Sequence, residues 1–200
     1  VEELRSFLSE FSNKSRIALA LDVKGEHQLD FWLNGLAICG DGENAVYIDL
    51  DNTETERKEI IGLLKTHLES AEQPKIFYDL KKAVQLFSKL GIKIEGVESD
   101  ILIAAHMTDP LSRRHDLDYL LGLKLNMKRQ SKESTYAPKQ SQMDMFEESD
   151  EDDYTGLCEN SVIIFQLHEL LKAQLKQTGM ESAYHNIEIP LAGTLAELEM

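Results

Sequence analysis

The sequence predicts an α/β domain with a mixed central sheet flanked by helices, and two observations carry this prediction. Three apolar segments typical of strands follow one another closely near the start of the chain, which favours an antiparallel meander. Farther along, strand-like and helical patterns alternate, as they do in domains whose sheet also contains parallel strands. The 200 residues are enough to bury one core of ordinary size.

The individual elements follow from the spacing of apolar residues and from turn signals. Apolar runs bounded by turn residues predict strands over 16–23, 29–40, 44–50 and the first part of 74–80. Asp41-Gly42 is a dipeptide that hairpins favour, and it marks the turn between the second and third strands. Helical spacing predicts helices over 1–12, from a cap at Asn52 or Thr53, and over 80–90, 99–107, 115–125, 154–179 and 182–200.

The composition is that of a globular domain with a strong negative charge. Hydrophobic residues make up 42% of the chain, and the formal net charge is −15 at pH 7. A domain this acidic repels phosphate backbones, so tight autonomous binding of nucleic acid is not expected. No apolar run approaches the roughly 20 residues that span a bilayer. Cys39 and Cys158 lack the spacing of metal ligands, which fits a reducing cytoplasm.

Residues 128–153 differ from the rest of the chain. They show almost no apolar periodicity, and six of the seven residues from 147 to 153 are acidic. We therefore expect a mobile acidic surface loop over 128–153, with no role that the sequence reveals. The last helical pattern is still running at Met200, which is the pattern expected of a fragment of a longer chain.

Three segments in a fixed order carry a resemblance to a known family. They are GIKIEGVESDILIAAHMTDP (91–110), RRHDLDYLLGLKL (113–125) and YHNIEIPLAGTLAELEM (184–200). Together they resemble the 3′–5′ exonuclease-type domain of bacterial DNA polymerase I, a family A polymerase. The resemblance implies a ribonuclease-H-like fold of the DEDD exonuclease type. It also implies an exonuclease-like domain over 1–178 and, over 179–200, the start of the helix that opens the polymerase region.

Active members of this family hold two divalent ions with four carboxylates, because paired cations must be charge-compensated by hard oxygen ligands. Their motifs are Asp-x-Glu, Asn-x-x-x-Asp and Tyr-x-x-x-Asp. The resemblance places these motifs on Asp22 and Lys24, on Asp79 and Ala83, and on Tyr154 and Cys158. Of the four ligand positions only Asp22 keeps its carboxylate. The resemblance therefore implies relic positions, with no catalytic residue, metal or cofactor.

Several site residues acquire other expected roles. Lys24 is expected to lie about 4 Å from Asp22, where the attraction is roughly 4 kcal/mol at an effective dielectric constant near 20 and where the lysine would repel a metal ion. Asp100 matches an acidic position near the metals in active relatives, and we expect it to cap a helix or pair with a lysine. Tyr154 is expected to pack against the acidic loop, and Cys158 to be buried without chemistry.

The resemblance implies that this fragment is not an enzyme. It would be a catalytically inactive exonuclease-like domain, vestigial, that supports the DNA-directed DNA polymerase of its parent chain in replication and repair without proofreading. Its expected partner is that polymerase domain, with DNA bound only through the full polymerase, no membrane, a monomeric state and a location in the bacterial cytoplasm. Two alternatives stay open. One is a divergent, active metal-dependent 3′–5′ exonuclease that uses Asp22, Asp79, Asp100 and Glu159, and the other is a free-standing binding module.

Overall fold

The computed structural model describes residues 2–10, 15–25, 30–129 and 150–200. Its centre is a sheet of five strands in the order β3-β2-β1-β4-β5. The strands are β1 (Ile17–Lys24), β2 (Trp32–Cys39), β3 (Ala45–Asp49), β4 (Lys75–Phe77) and β5 (Val97–Asp100). β1, β2 and β3 pair antiparallel, whereas β4 lies parallel to both β1 and β5. The predicted mixed sheet and its opening meander are confirmed.

The helices cover both faces of this sheet. They are α1 (Glu2–Glu10), α2 (Glu54–Leu68), α3 (Leu80–Lys89), α4 (Ile101–Thr108), α5 (Leu117–Leu120), α6 (Asp150–Gln177), α7 (Glu181–Ala183) and α8 (Ile189–Leu198). The hydroxyl of Thr53 accepts from the backbone amide of Glu56 and so caps α2, as predicted. No helix in the described ranges is long and apolar enough to cross a membrane.

Several elements differ from the predictions. The helix predicted over 115–125 begins at Leu117 and continues as a π-helical turn over Leu121–Leu125. The helix predicted from residue 99 begins at Ile101, because Ser99 and Asp100 still belong to β5, a strand that the sequence analysis missed. α6 begins at Asp150, so residues 150–153 of the predicted mobile loop are helical. Residues 130–149 of that loop lie outside the described residues. The last predicted helix is interrupted by a π-helical turn, Tyr184–Glu188.

The two faces of the sheet bury separate apolar clusters. Because side chains alternate along a strand, Leu19 and Leu21 of β1 face one side and Ala18 and Ala20 face the other. The first cluster contains side chains from α1, α2 and α3, and the second contains side chains from α4, α5 and α6. Asp22 follows Ala20 by two residues and therefore lies on the same face of β1. Only the helices that pack on that face can reach its side chain.

At the end of the sheet away from Asp22, a cluster of charged side chains connects β5 to α6. Glu98 on β5 receives two hydrogen bonds from the guanidinium of Arg16, at 2.6 and 2.8 Å, and one from Lys172 at 2.9 Å. His168, buried on α6, places its Nε2 atom 3.3 Å from the same carboxylate. Burial alone would raise the pKa of Glu98, but these three partners outweigh it and hold that pKa well below its usual range.

Gly35 on β2 lies directly beneath the ring of Tyr47 from the neighbouring strand β3. A Cβ atom at position 35 would lie 2.5 Å from the ring carbon Cζ of Tyr47 and closer still to its hydroxyl. The absence of a side chain at Gly35 therefore lets Tyr47 cross β2 toward β1. Real Cβ atoms do not approach other atoms this closely, so the two positions depend on each other sterically.

Lys75 on β4 is a fully buried lysine. Its ammonium donates hydrogen bonds to the backbone carbonyls of Ser70 at 2.6 Å and Gln73 at 2.8 Å, just beyond the end of α2. Two neutral acceptors offset only part of the cost of removing a charge from water. Burial accordingly lowers the pKa of Lys75 to about 8, although the negative charge of Glu95 acts in the opposite direction.

We expect the Lys75→Met variant to flatten the pH dependence of stability in the alkaline range. The folded-state pKa of about 8 lies below the ordinary 10.5, so between these values the unfolded chain binds more protons. The free energy of unfolding of the parent protein should therefore rise with pH over that interval, and the variant should lose this rise. Urea titrations from pH 7.5 to 10.5 measure it. The exposed Lys58→Met variant is the control, and equal slopes in both variants would contradict the assignment.

We expect Gly35→Ala to lower the free energy of unfolding by about 1–3 kcal/mol, the usual cost of an overpacked site. The reason is the collision with the ring of Tyr47. Gly62→Ala is the matched control, because Gly62 lies within α2 with no atom within 4 Å of the added methyl group. In a helix that change should stabilise by about 0.5–1 kcal/mol. Chemical denaturation measures both, and a neutral Gly35→Ala variant would show that Tyr47 moves aside freely.

Candidate functional site

Asp22 lies near the carboxyl end of β1, at 9% exposure, on the sheet face that α6 covers. Its side chain accepts a hydrogen bond of 2.6 Å from the amide Nδ2 of Asn34. The register of the β1–β2 pair shifts at this point, since Asp22 faces Gly35 and Val23 faces Leu33. Asn34 is thus the extra residue of a bulge in β2, and the bulge directs its side chain to Asp22.

Two tyrosines close the space beside Asp22. The Tyr47 hydroxyl lies 3.5 Å from the Asp22 carboxylate, and the rings of Tyr47 and Tyr154 stack with centroids 4.2 Å apart. Burial raises the pKa of Tyr47, and the negative charge of Asp22 raises it further. The phenol therefore stays protonated at neutral pH and serves Asp22 as a donor. Most of the acidic loop that we expected Tyr154 to contact lies outside the described residues, so that contact stays a prediction.

Lys24 does not form the predicted ion pair with Asp22. It lies exposed at the last position of β1, paired in register with Trp32, which is also exposed. Among the described ion pairs none joins Lys24 to Asp22. The physical reason is that Asn34 already satisfies the carboxylate at short range, while an exposed ammonium gains little by leaving water.

The second motif lies at the start of α3. Asp79 caps α3 by accepting a hydrogen bond of 3.1 Å from the backbone amide of Lys82. Ala83, one turn later, is fully buried in the apolar cluster on the other face of the sheet from Ala20 and Asp22.

Asp100 has the capping role that the sequence predicts. It is 2% exposed, and its carboxylate accepts hydrogen bonds from the backbone amides of Ile103 at 2.9 Å and Leu80 at 2.6 Å. These amides belong to the first turns of α4 and α3, so one carboxylate serves two helix starts. Burial raises the pKa of Asp100 to about 7, against the lowering effect of its backbone hydrogen bonds.

The third motif lies on α6, where Tyr154 and Cys158 are both half-buried. Burial raises the pKa of the Cys158 thiol, and the nearby Cys39 raises it further, so Cys158 stays a neutral thiol. The next residue, Glu159, carries a carboxylate, but that carboxylate lies 3.5 Å from the guanidinium of Arg129. Cys158, which the resemblance aligns with the aspartate of the third motif, therefore offers an uncharged sulfur atom in place of a carboxylate.

The structure brings together Asp22 and Tyr154 of the predicted positions, and it adds Asn34 and Tyr47. Sequence reasoning missed both added residues. Nothing in the sequence indicates a bulge at Asn34, whereas counting pairs along the predicted meander could have placed Tyr47 near Gly35 and hence near β1. One carboxylate, one amide and two phenols do not fit a pair of divalent cations. Among the described residues no three His, Cys, Asp or Glu side chains form a group that could hold a metal ion.

Comparison with known proteins assigns the family. The model of the family "DNA polymerase I, ribonuclease H-like domain" matches residues 19–150. DNA polymerase I of Mycobacterium tuberculosis is 28% identical over 98% of this chain, and that of Chloroflexus aurantiacus is 24% identical over 84%. The chain spans only 21% and 18% of the length of these relatives.

Solved structures agree on the fold. The POL domain of Pol1 from M. smegmatis, in complex with DNA primer-template and dNTP, superposes with a TM-score of 0.77 at 25% identity, over 98% of this chain and 30% of its own. Brucella melitensis NrnC has a TM-score of 0.71 at 15% identity, over 92% of this chain and 84% of its own, a likeness that shows the fold alone. The mixed five-stranded sheet with its flanking helices is the ribonuclease-H-like fold of DEDD-type nucleases, as predicted. The chain belongs to the family of ribonuclease H-like domains of DNA polymerase I.

Proposed function

We propose that this chain is a catalytically inactive exonuclease-like domain of a bacterial DNA polymerase I. It gives structural support to the DNA-directed DNA polymerase of its parent chain in replication and repair, and it contributes no proofreading. The observation that carries this proposal is the state of Asp22, whose carboxylate is held by an amide and a phenol at the position that the resemblance assigns to the first metal-ligand motif.

Charge explains why such a site would not recruit a metal ion. Two divalent cations bring four positive charges, and carboxylates compensate them in two-metal nucleases. Here the neutral amide of Asn34 and the phenol of Tyr47 lie against Asp22, and Tyr154 stacks on Tyr47. The exposed ammonium of Lys24 lies two residues along the same strand. A single carboxylate leaves most of the cation charge uncompensated, so hydrated ions stay in water.

The proposed context follows from the relatives. They are DNA polymerase I chains of bacteria, and this chain corresponds to about a fifth of each. We propose the polymerase domain of the same parent chain as partner, a monomeric state and the bacterial cytoplasm as location. The formal charge of −15 disfavours DNA binding by this domain alone, so we propose that DNA is bound only through the full polymerase.

The first alternative, an active nuclease rebuilt from other acids, requires Asp79, Asp100 and Glu159 to converge on Asp22. Each of them has another partner: Asp79 caps α3, Asp100 caps α3 and α4, and Glu159 lies beside Arg129. The second alternative, a free-standing binding module, is disfavoured by a likeness to DNA polymerase I that covers nearly the whole chain.

We expect the protein to leave single-stranded DNA intact at its 3′ end in the presence of magnesium or manganese. The reason is the missing charge compensation at Asp22. The measurement is a time course with 5′-labelled oligonucleotide on a denaturing gel, in which the parent protein and Asp22→Ala should give the same background.

The control for contaminating nucleases is this same pair of proteins purified in parallel. Metal-dependent shortening from the 3′ end that Asp22→Ala abolishes would favour the first alternative. Manganese titration followed by the relaxation rate of water protons adds an independent readout, and a site lost in Asp22→Asn would overturn the proposal.

A further inference from the structure

The chain has two cysteines, Cys39 and Cys158, and both lie on the sheet face that α6 covers. Cys39 is the last residue of β2 and follows Ala37 by two residues, so its side chain points to the same apolar cluster as that of Ala37. Cys39 is fully buried, whereas Cys158, on α6, is half-buried against this cluster. Both are free thiols, contributed to one interface by separate elements.

Two contacts fix the position of α6 over β2. Tyr154 stacks on Tyr47 of β3, with ring centroids 4.2 Å apart. About three turns later, the side-chain amide of Gln166 donates a hydrogen bond of 2.9 Å to the backbone carbonyl of Gly42, in the turn between β2 and β3. The stretch of α6 between these contacts therefore lies over β2 and the turn that follows it.

The two thiols lie within that stretch. Cys158 comes one turn after Tyr154, and the Sγ atom of Cys39 accepts a hydrogen bond of 3.2 Å from the backbone amide of Gly42. The charges of the two thiols interact, since a thiolate at Cys39 opposes the ionisation of Cys158 and raises its pKa. Two cysteines that face each other across a helix–sheet contact are candidates for a disulfide, which requires Cα atoms within about 7 Å of each other.

Cys158 also borders a cavity of about 580 Å³. Its walls include the apolar side chains of Met127 and Val162 and the cationic side chain of Lys128. Cavities of about 300–1,000 Å³ receive small molecules, and an ammonium in the wall attracts the carboxylates of a small peptide. Cys39 is fully buried and does not line this cavity. A small molecule in the cavity therefore meets Cys158 first.

We propose that Cys158 and Cys39 form a dithiol site that exchanges with low-molecular-weight disulfides. The Cys158 thiolate attacks one sulfur atom of the incoming disulfide, whose S–S bond breaks and releases one small thiolate. The Cys39 thiolate then attacks the Sγ atom of Cys158, forms the bond between the two cysteines and releases the second small thiolate. The released thiolates take up the protons that the cysteines lose. The protein dithiol is thereby oxidised, and the small disulfide is reduced to two thiols.

Burial makes this exchange slow. It raises the pKa of both thiols, so the thiolate fraction of each is small at neutral pH. The thiols therefore stay reduced while small thiols are in excess, and they respond to a sustained excess of small disulfides.

Glutathione disulfide at about pH 8.5, where more of each thiol is ionised, is the probe for this site. We expect the unsubstituted protein to lose two hydrogen atoms in intact-mass measurements and peptide mapping to show residues 39 and 158 joined. Cys39→Ala should instead keep one glutathionyl group on Cys158 at least about tenfold longer, because the unsubstituted protein releases that group by an intramolecular attack. Cys39→Ser, which keeps an acceptor for the amide of Gly42, should give the same result.

Cys158→Ser is the matched control and should stay unmodified, because Cys39 is buried. A glutathionyl group that stays on Cys158 of the unsubstituted protein while Cys39 remains a thiol would overturn the proposal, as would no reaction at all. So would modification of Cys158→Ser at the rate of the unsubstituted protein, because that result assigns the reaction to an opened form of the chain. None of these results bears on the nuclease assay, which tests the proposed function separately.

Discussion

Asp100 joins three parts of the chain through one buried residue. Its carboxylate accepts from the first turns of α3 and α4, and its backbone amide and carbonyl contact the Tyr184 hydroxyl at 2.7 and 2.9 Å. A carboxylate at a helix start is favoured by the free amides and by the helix dipole. Burial opposes the charge, so the position is stable only while both helix starts remain in place. The orientation of α3, and with it that of the second motif, depends on this residue.

Asp22 and Asp100 illustrate two ways in which this fold satisfies a buried carboxylate. Both acids lie at the carboxyl ends of strands, where the fold concentrates polar groups. Asp100 is retained by backbone hydrogen bonds that the fold itself needs. The carboxylate of Asp22 accepts hydrogen bonds from Asn34 and Tyr47, which are neutral donors. Each buried carboxylate therefore has a structural reason to remain, independent of catalysis.

The sequence predicted what depends on periodicity and local chemistry. The meander, the cap at Thr53 and the cap at Asp100 follow from strand alternation and from side chains that accept from free amides. β5 was missed because its four residues, Val97–Asp100, are too few to show a period. The wrong ion pair of Lys24 has another origin. Lys24 is close to Asp22 in the sequence, which suggested a pair. The bulge that brings Asn34 to Asp22 arises from the pairing of β1 with β2, and the sequence of β1 alone does not indicate it.

Gly35 and Tyr47 depend on each other sterically, so the order in which the two positions could be substituted matters. While the tyrosine crosses β2, a side chain at position 35 is disfavoured, because the ring occupies that space. Were Tyr47 exchanged for a small residue first, position 35 would be free to acquire a methyl group at little cost. After that step the tyrosine could no longer return by a single substitution. The two sites thus act as an evolutionary ratchet, and descendants in which both have changed would have no simple route back to this arrangement around Asp22.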